Sequence, residues 1–169
     1  TNSCSGQFKV SLNFAIAKTC HFKSPLSKAL RFRKVNRMIT GINHITFSVR
    51  DLSLSIEFYR DLLGMRLHVF WDTGAYLTAG NTWLCLSLGQ PEPAKDYTHV
   101  AFSVSEGAFM QLRARLNQAG AEEWKQNSSE GDSIYLLDPN GHRLELSCGT
   151  LSTRLAALKS SPYQGLVWC

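Results

Sequence analysis

The chain has 169 residues, 44% of them hydrophobic and 18% charged, with a formal net charge of +5 and five cysteines. That length supports one globular domain or two small modules sharing a core, and no apolar run approaches a membrane span. The cysteines, at 4, 20, 85, 148 and 169, form neither a disulfide framework nor a CxxC zinc pattern, which suits a reducing, cytoplasmic setting.

The positive charge is segregated. Residues 1–37 hold eight Lys or Arg and no acid, whereas 38–169 hold ten basic residues against thirteen acids. A nucleic-acid role for the whole protein therefore loses its main support. The first segment has the composition of a transit peptide or a basic interaction arm. The reading that fits best is that Met38 is the start and 1–37 is upstream, non-native sequence, because the periodic pattern begins just after Met38. This segment is expected to be poorly ordered.

A strand is predicted from Gly41 to Val49, then a helix over 51–64 with Leu52, Ile56, Tyr59 and Leu63 on one face and Gly64 as its stop. Three short strands follow, Met65–Trp71, Gly74–Thr78 and Thr82–Leu88, and Gln90-Pro-Glu-Pro-Ala94 is a linker. The order then repeats. Tyr97–Val104 reads as a strand, Gly107–Ala119 as a helix, and Glu123–Gln126, Ser133–Leu137 and His142–Ser147 as strands. The last two join across Asp138-Pro-Asn-Gly141, a strong turn signal. A helix over 151–159 and an irregular tail close the chain. The predicted class is α+β, built from two βαβββ modules.

The repeat carries chemistry. Asn43-His-Ile-Thr-Phe-Ser-Val49 matches Thr98-His-Val-Ala-Phe-Ser-Val104 at His, Phe, Ser and Val, which places His44 and His99 at equivalent strand positions. Aligning the last strands sets Trp83-Leu-Cys-Leu-Ser87 against Arg143-Leu-Glu-Leu-Ser147, so Glu145 stands where the first module has Cys85. If the sheets curl into facing cups, His44, His99 and Glu145 can converge, and two imidazoles with a carboxylate suit a catalytic divalent metal. The same residues also fit ordinary hydrogen-bonded or solvent-facing strand positions. Cys85 as a fourth ligand would favour a closed zinc site; a small half-buried apolar residue is the simpler reading. Lys125-Gln-Asn-Ser-Ser-Glu-Gly-Asp-Ser133 with Tyr135 reads as an anion-binding pocket or as a solvated loop. Arg154 is a surface charge unless the fold sets it opposite that loop.

Several segments together resemble a known family. Asn43-His44-Ile-Thr46, Trp71-Asp-Thr-Gly-Ala-Tyr76, Trp83-Leu-Cys-Leu-Ser, Trp124-Lys-Gln-Asn-Ser-Ser-Glu-Gly-Asp-Ser133, Leu137-Asp-Pro-Asn-Gly-His-Arg-Leu-Glu145 and Arg154-Leu-Ala-Ala are similar to the FosA-type fosfomycin-resistance glutathione transferases of the vicinal oxygen chelate superfamily. The likeness covers 38–169, with module 1 at about 40–89, module 2 at about 96–148 and a C-terminal helix and tail at 150–169, and none of 1–37. It implies a bacterial homodimer whose modules pair across the interface. It also implies Mn²⁺, or another divalent metal, on His44 of one chain and His99 and Glu145 of the other. The fosfomycin phosphonate would be gripped by Lys125, Ser129, Tyr135 and Arg154, with Thr46 beside the epoxide. K⁺ would sit in the loop of Asn127, Ser129, Glu130, Gly131 and Ser133, and Tyr76 and Trp83 would face glutathione. No nucleic-acid or membrane partner is implied.

The chain departs from the family pattern at Val100, where many relatives carry Tyr, and at Ser147-Cys148-Gly149, in place of His-Val-Gly. Hydrolytic relatives need a carboxylate in the region of Tyr76–Leu88, which contains no acid here. Extradiol dioxygenases of the superfamily need a further acid–base histidine, for which His68 and His142 are the candidates. A bleomycin-binding type of module would lack the metal set. Use of a thiol other than glutathione, or of another substrate, is not separated by the sequence.

Overall fold

The computed structural model describes residues 38–168; the expectations for 1–37 lie outside the described residues. The described residues belong to two units, 38–161 and 162–168. In the shorter one Leu166 N donates to the Tyr163 carbonyl at 3.1 Å.

The first half of the longer unit runs β1 (His44–Val49), α1 (Leu52–Glu57), β2 (Arg66–Trp71), β3 (Gly74–Ala79) and β4 (Thr82–Leu88). The second runs β5 (Val100–Ser103), α2 (Glu106–Gln118), β6 (Glu123–Lys125), β7 (Ser133–Leu137) and β8 (Arg143–Ser147), and α3 (Leu151–Ser160) follows. Each half forms one four-stranded sheet, in the orders β1-β4-β3-β2 and β5-β8-β7-β6. The topologies are identical, with the first strand parallel to the last and the others antiparallel. The sequence repeat is thus a structural one. Thr46 pairs with Cys85, and Ala101 with Glu145, so the predicted equivalence of Cys85 and Glu145 holds in the register.

Period-2 alternation builds the core. Phe47, Val49, Ala75, Leu77, Leu84 and Leu86 of the first sheet, and Ile134, Leu136, Leu144 and Leu146 of the second, are buried together with Ile56, Tyr59, Phe109 and Leu116 of the helical segments. The intervening residues of each strand stand on the opposite, open face, where every candidate strand residue lies.

Three predicted elements differ from the expectation, the first strand simply by starting at His44 instead of Gly41. The helix over 51–64 is α-helical only to Glu57 and continues as a π-helical turn, Phe58–Leu62, capped at its start by Asp51 Oδ1 accepting from Leu54 N at 2.9 Å. The strand predicted at Tyr97–Val104 begins at Val100, because Asp96 and His99 spend their side chains on the local backbone. Asp96 Oδ1 accepts from Thr98 N at 2.8 Å, and the His99 ring meets the Tyr97 carbonyl. These contacts hold the chain in a turn.

Asp138-Pro-Asn-Gly141 does more than turn the chain. Gly141 adopts a positive φ of 86°, which a side chain would resist, and Gly141 N donates to the Asp138 carbonyl at 3.0 Å. The tip then docks on the other module: Tyr59 Oη donates to Asp138 Oδ2 at 2.9 Å, Arg50 N donates to Asn140 Oδ1 at 2.8 Å, and Asn140 Nδ2 donates to Ser55 Oγ at 3.1 Å. His142 Nε2 meets the Ser48 carbonyl at 2.8 Å, with its ring stacked on Phe47. No described helix is long and apolar enough to cross a membrane.

Candidate metal centre and anion pocket

The open face of the second sheet gathers most of the expected site. β8 presents Glu145, only 8% exposed, directly opposite Tyr135 of β7, and the turn before β5 sets His99 Nε2 3.0 Å from Glu145 Oε2. The other ring nitrogen, Nδ1, lies 2.8 Å from the Tyr97 carbonyl, an obligate acceptor, so it carries the hydrogen and donates. In the neutral ring Nε2 then carries a lone pair aimed at a carboxylate oxygen. The 3.0 Å contact is favourable once a proton on Nε2 makes it an ion pair, or once a metal ion is shared by the two atoms. Glu145 Oε1 is held from the other side by the Ser133 hydroxyl, which donates to it at 2.8 Å.

His44 is arranged alike on the first sheet. Its Nδ1 lies 2.8 Å from Asn43 Oδ1, leaving Nε2 free, and its ring packs against Trp83 at 4.7 Å between centroids. It does not join the other two. Among the described residues, no three His, Cys, Asp or Glu side chains cluster to hold a metal. The expectation that facing cups bring His44, His99 and Glu145 to one point is therefore corrected for a single chain. The Asp138–Gly141 docking joins the modules through other surfaces.

Two of the anion-binding candidates stand in line with Glu145: Tyr135 pairs with it across β7 and β8, and Lys125 pairs with Tyr135. Lys125 Nζ donates to Tyr97 Oη at 2.6 Å and lies over the rings of Tyr97 and Tyr135, 4.8 and 4.4 Å from their centroids. The hydrogen bond to Tyr97 raises its pKa above the ordinary lysine value, so it stays cationic. Ser129 Oγ stands 3.5 Å from Tyr135 Oη. Arg154 is no isolated surface charge: α3 brings its Nε to 2.9 Å from Glu130 Oε2 in the loop. That approach lacks hydrogen-bond alignment, and both Glu130 oxygens are buried without a hydrogen-bond donor. Asn127 closes the loop, donating from Nδ2 to the Gly131 carbonyl at 2.8 Å while its Oδ1 accepts from Ser129 N at 3.0 Å.

On the first sheet Thr46, Cys85 and Tyr76 form a row across β1, β4 and β3. Tyr76 lies edge-on to both Trp71 and Trp83, at 4.8 and 4.9 Å. The Trp83 indole nitrogen is buried without an acceptor. Cys85 is half-buried with its sulfur directed to the Leu86 carbonyl at 3.9 Å. His142 is engaged at the module junction and His68 with Thr78 at 3.0 Å, so neither stands as the acid–base histidine of a dioxygenase. The sequence assigns no role to Tyr97 or Trp124, and it marks Ser147 only as part of a departure from the family pattern. The aromatic Tyr97, two residues before the repeated histidine, was the available signal.

Paired βαβββ modules, each a four-stranded sheet with its first strand parallel to its last, define the class of fold, and comparison identifies the family. Residues 41–146 match the family model of the Glyoxalase/Bleomycin resistance protein/Dioxygenase superfamily. The chain is 51% identical to the glutathione transferase FosA of Serratia marcescens, over 78% of this chain and 96% of that protein. It is 42% identical to the metallothiol transferase FosB of Shouchella clausii, over 70% and 87%. Among solved structures it resembles the fosfomycin resistance protein FosX of Mesorhizobium loti, with 30% identity, a TM-score of 0.62, and 70% of this chain and 99% of that one covered. It also resembles a FosX variant from Listeria monocytogenes in complex with Mn(II) and 1S,2S-dihydroxypropylphosphonic acid, with 26% identity, a TM-score of 0.63 and coverage of 70% and 99%. The chain belongs to the Glyoxalase/Bleomycin resistance protein/Dioxygenase superfamily and, within it, to the family of the Fos thiol transferases.

Proposed function

We propose that this protein inactivates fosfomycin by adding glutathione to its epoxide, at a metal site completed between two copies of the chain. The observation that carries the reading is the His99–Glu145 pair, an imidazole and a carboxylate 3.0 Å apart with Nε2 turned to the carboxylate, together with the matched presentation of Nε2 by His44. A second copy is invoked because, among the described residues of one chain, His44 does not join His99 and Glu145.

In this reading His44 of one copy and His99 and Glu145 of the other hold Mn²⁺ or a similar divalent ion. Such an ion supplies Lewis acidity at the epoxide and phosphonate oxygens. The loop around Glu130, which is ion-paired with Arg154 at 2.9 Å, is the expected place of a second cation. K⁺ would be held there with Asn127, Ser129, Gly131 and Ser133. Lys125, Arg154, Ser129 and Tyr135 bind and orient the phosphonate, with Lys125 kept cationic by Tyr97. Thr46 lies beside the epoxide. Tyr76 and Trp83 line the thiol side, where the Tyr76 hydroxyl donates to the glutathione thiolate. The thiolate attacks C1, the C–S bond forms as the C1–O bond breaks, and the freed oxygen takes up a proton. No carboxylate stands on β3 or β4 to activate water, which separates this site from a hydrolytic one.

The test is fosfomycin conversion followed by phosphorus NMR, with Mn²⁺, K⁺ and either glutathione, L-cysteine or no thiol. A new adduct resonance in the glutathione tube alone is the expected result. Conversion with cysteine would favour the broader thiol use that the FosB likeness raises, and conversion without thiol would overturn the transferase reading. Glu145→Gln is expected to abolish the metal-dependent reaction while leaving a folded protein. Unchanged turnover in that variant would sink the metal assignment.

A further inference from the structure

At the end of β8, where the chain departs from its relatives, a hydrogen-bond relay runs into Glu145. Ser133 Oγ lies 2.8 Å from Glu145 Oε1 and 2.9 Å from Ser147 Oγ, and Gly149 N lies 3.1 Å from Ser147 Oγ. Ser133 Oγ is placed to donate to both Glu145 Oε1 and Ser147 Oγ; with one hydrogen it serves the carboxylate, the stronger acceptor, which leaves the Ser147 hydroxyl to supply the hydrogen between the two serines. Gly149 N–H donates to Ser147, Ser147 donates to Ser133, and Ser133 donates to Glu145. Reversing the middle bond would leave Glu145 Oε1 facing a hydroxyl lone pair. Ser133 is 2% exposed, so water does not replace a lost partner.

The first module supplies a comparison within the same molecule. Gly74 pairs with Ser87 there as Ser133 pairs with Ser147 here. With glycine at that position the relay cannot form, and the residue that would receive it is Cys85 instead of a carboxylate. The relay exists only in the module whose last strand carries Glu145.

We infer that Ser147 is a positioning residue for the metal centre, fixing the rotation of the Glu145 carboxylate through Ser133. The inference rests on the reading of Glu145 as a metal ligand. With the relay intact, Oε1 is occupied by a donor and Oε2 is turned towards His99. Without Ser147, the Ser133 hydroxyl loses the donor that orients it and can rotate away from Glu145. Partners of ligating carboxylates commonly contribute about tenfold or more to metal affinity.

The experiment is Mn²⁺ titration of the full chain by electron paramagnetic resonance, without fosfomycin or thiol. The variants are Ser147→Thr, Ser147→Val, Ser147→Ala and, as the matched control in the other module, Ser87→Ala. The Thr and Val variants share one shape and differ in the hydroxyl, so packing and folding effects cancel between them. About tenfold weaker Mn²⁺ binding by Val and Ala is expected, with Thr and the Ser87 control within about twofold of the parent. Equal affinities for the Thr and Val variants would overturn the relay. A parent protein that binds Mn²⁺ no better than Glu145→Gln would overturn the metal reading beneath it, a separate and distinguishable result.

Discussion

Individual side chains in this protein are set by what their neighbours on the pleated face leave open. Gly74 is the clearest case. A Cβ there would lie 2.9 Å from the Leu86 carbonyl oxygen and closer still to Trp71 Cζ2, because the indole ring lies over this position. Trp71 in turn abuts Tyr76, which abuts Trp83, which abuts His44. Glycine at 74 is thus the space into which the aromatic row settles. Gly74→Ala is expected to push Trp71 off the sheet at a cost of about 1–3 kcal/mol. Steady-state kinetics should register this as a raised KM for glutathione with the KM for fosfomycin nearly unchanged. A rise confined to fosfomycin would contradict the assignment of Tyr76 and Trp83 to the thiol side.

At the scale of elements, α3 is the least anchored part of the site. It has no buried residue, so its start depends on a capping box: Thr150 Oγ1 accepts from Thr153 N at 3.1 Å while Thr153 Oγ1 accepts from Thr150 N at 2.9 Å. That helix delivers Arg154 to Glu130. Removing the cap with Thr150→Ala should cost about 1 kcal/mol, local to the helix. The expected consequence is up to about fivefold weaker fosfomycin binding with the thermal midpoint almost unmoved. Calorimetric titration beside a melting curve would separate this from global destabilisation. The sheets behave differently, because their strands are locked by a shared core and tolerate no such local fraying.

For the molecule as a whole, the docking of the Asp138–Gly141 turn on the first module decides how one chain is assembled. Tyr59 is fully buried there against Asp138. Burial, reinforced by the Asp138 carboxylate and its hydrogen bond, raises the Tyr59 pKa well above the ordinary value. The sign follows from linkage. Below about pH 10 the phenol is neutral in folded and unfolded chains alike, and this contribution to stability is fully present. Above it the unfolded chain ionises and the folded one does not, so stability falls as pH rises towards the folded pKa, by at most about 1.4 kcal/mol per pH unit. Denaturation midpoints between pH 9 and 11 should therefore decline more steeply for the parent than for Tyr59→Phe. Parallel declines would place the alkaline sensitivity elsewhere.

The amino-acid sequence by itself determined the two βαβββ modules, the equivalence of His44 with His99 and of Cys85 with Glu145, and the turn at Asp138–Gly141. These follow from alternation, repetition and glycine chemistry, which are local or self-referential patterns. Chain order could not tell that the turn's tip would bind Tyr59, Ser55 and Arg50, and so join the modules in a way that keeps His44 away from His99 and Glu145. It could not tell that Tyr97 would orient both His99 and Lys125, that Arg154 would meet Glu130, or that Ser147 would reach Glu145 through Ser133. Those contacts join residues whose partners are chosen by packing and by the need to satisfy buried polar groups, and only the tertiary structure sets those conditions.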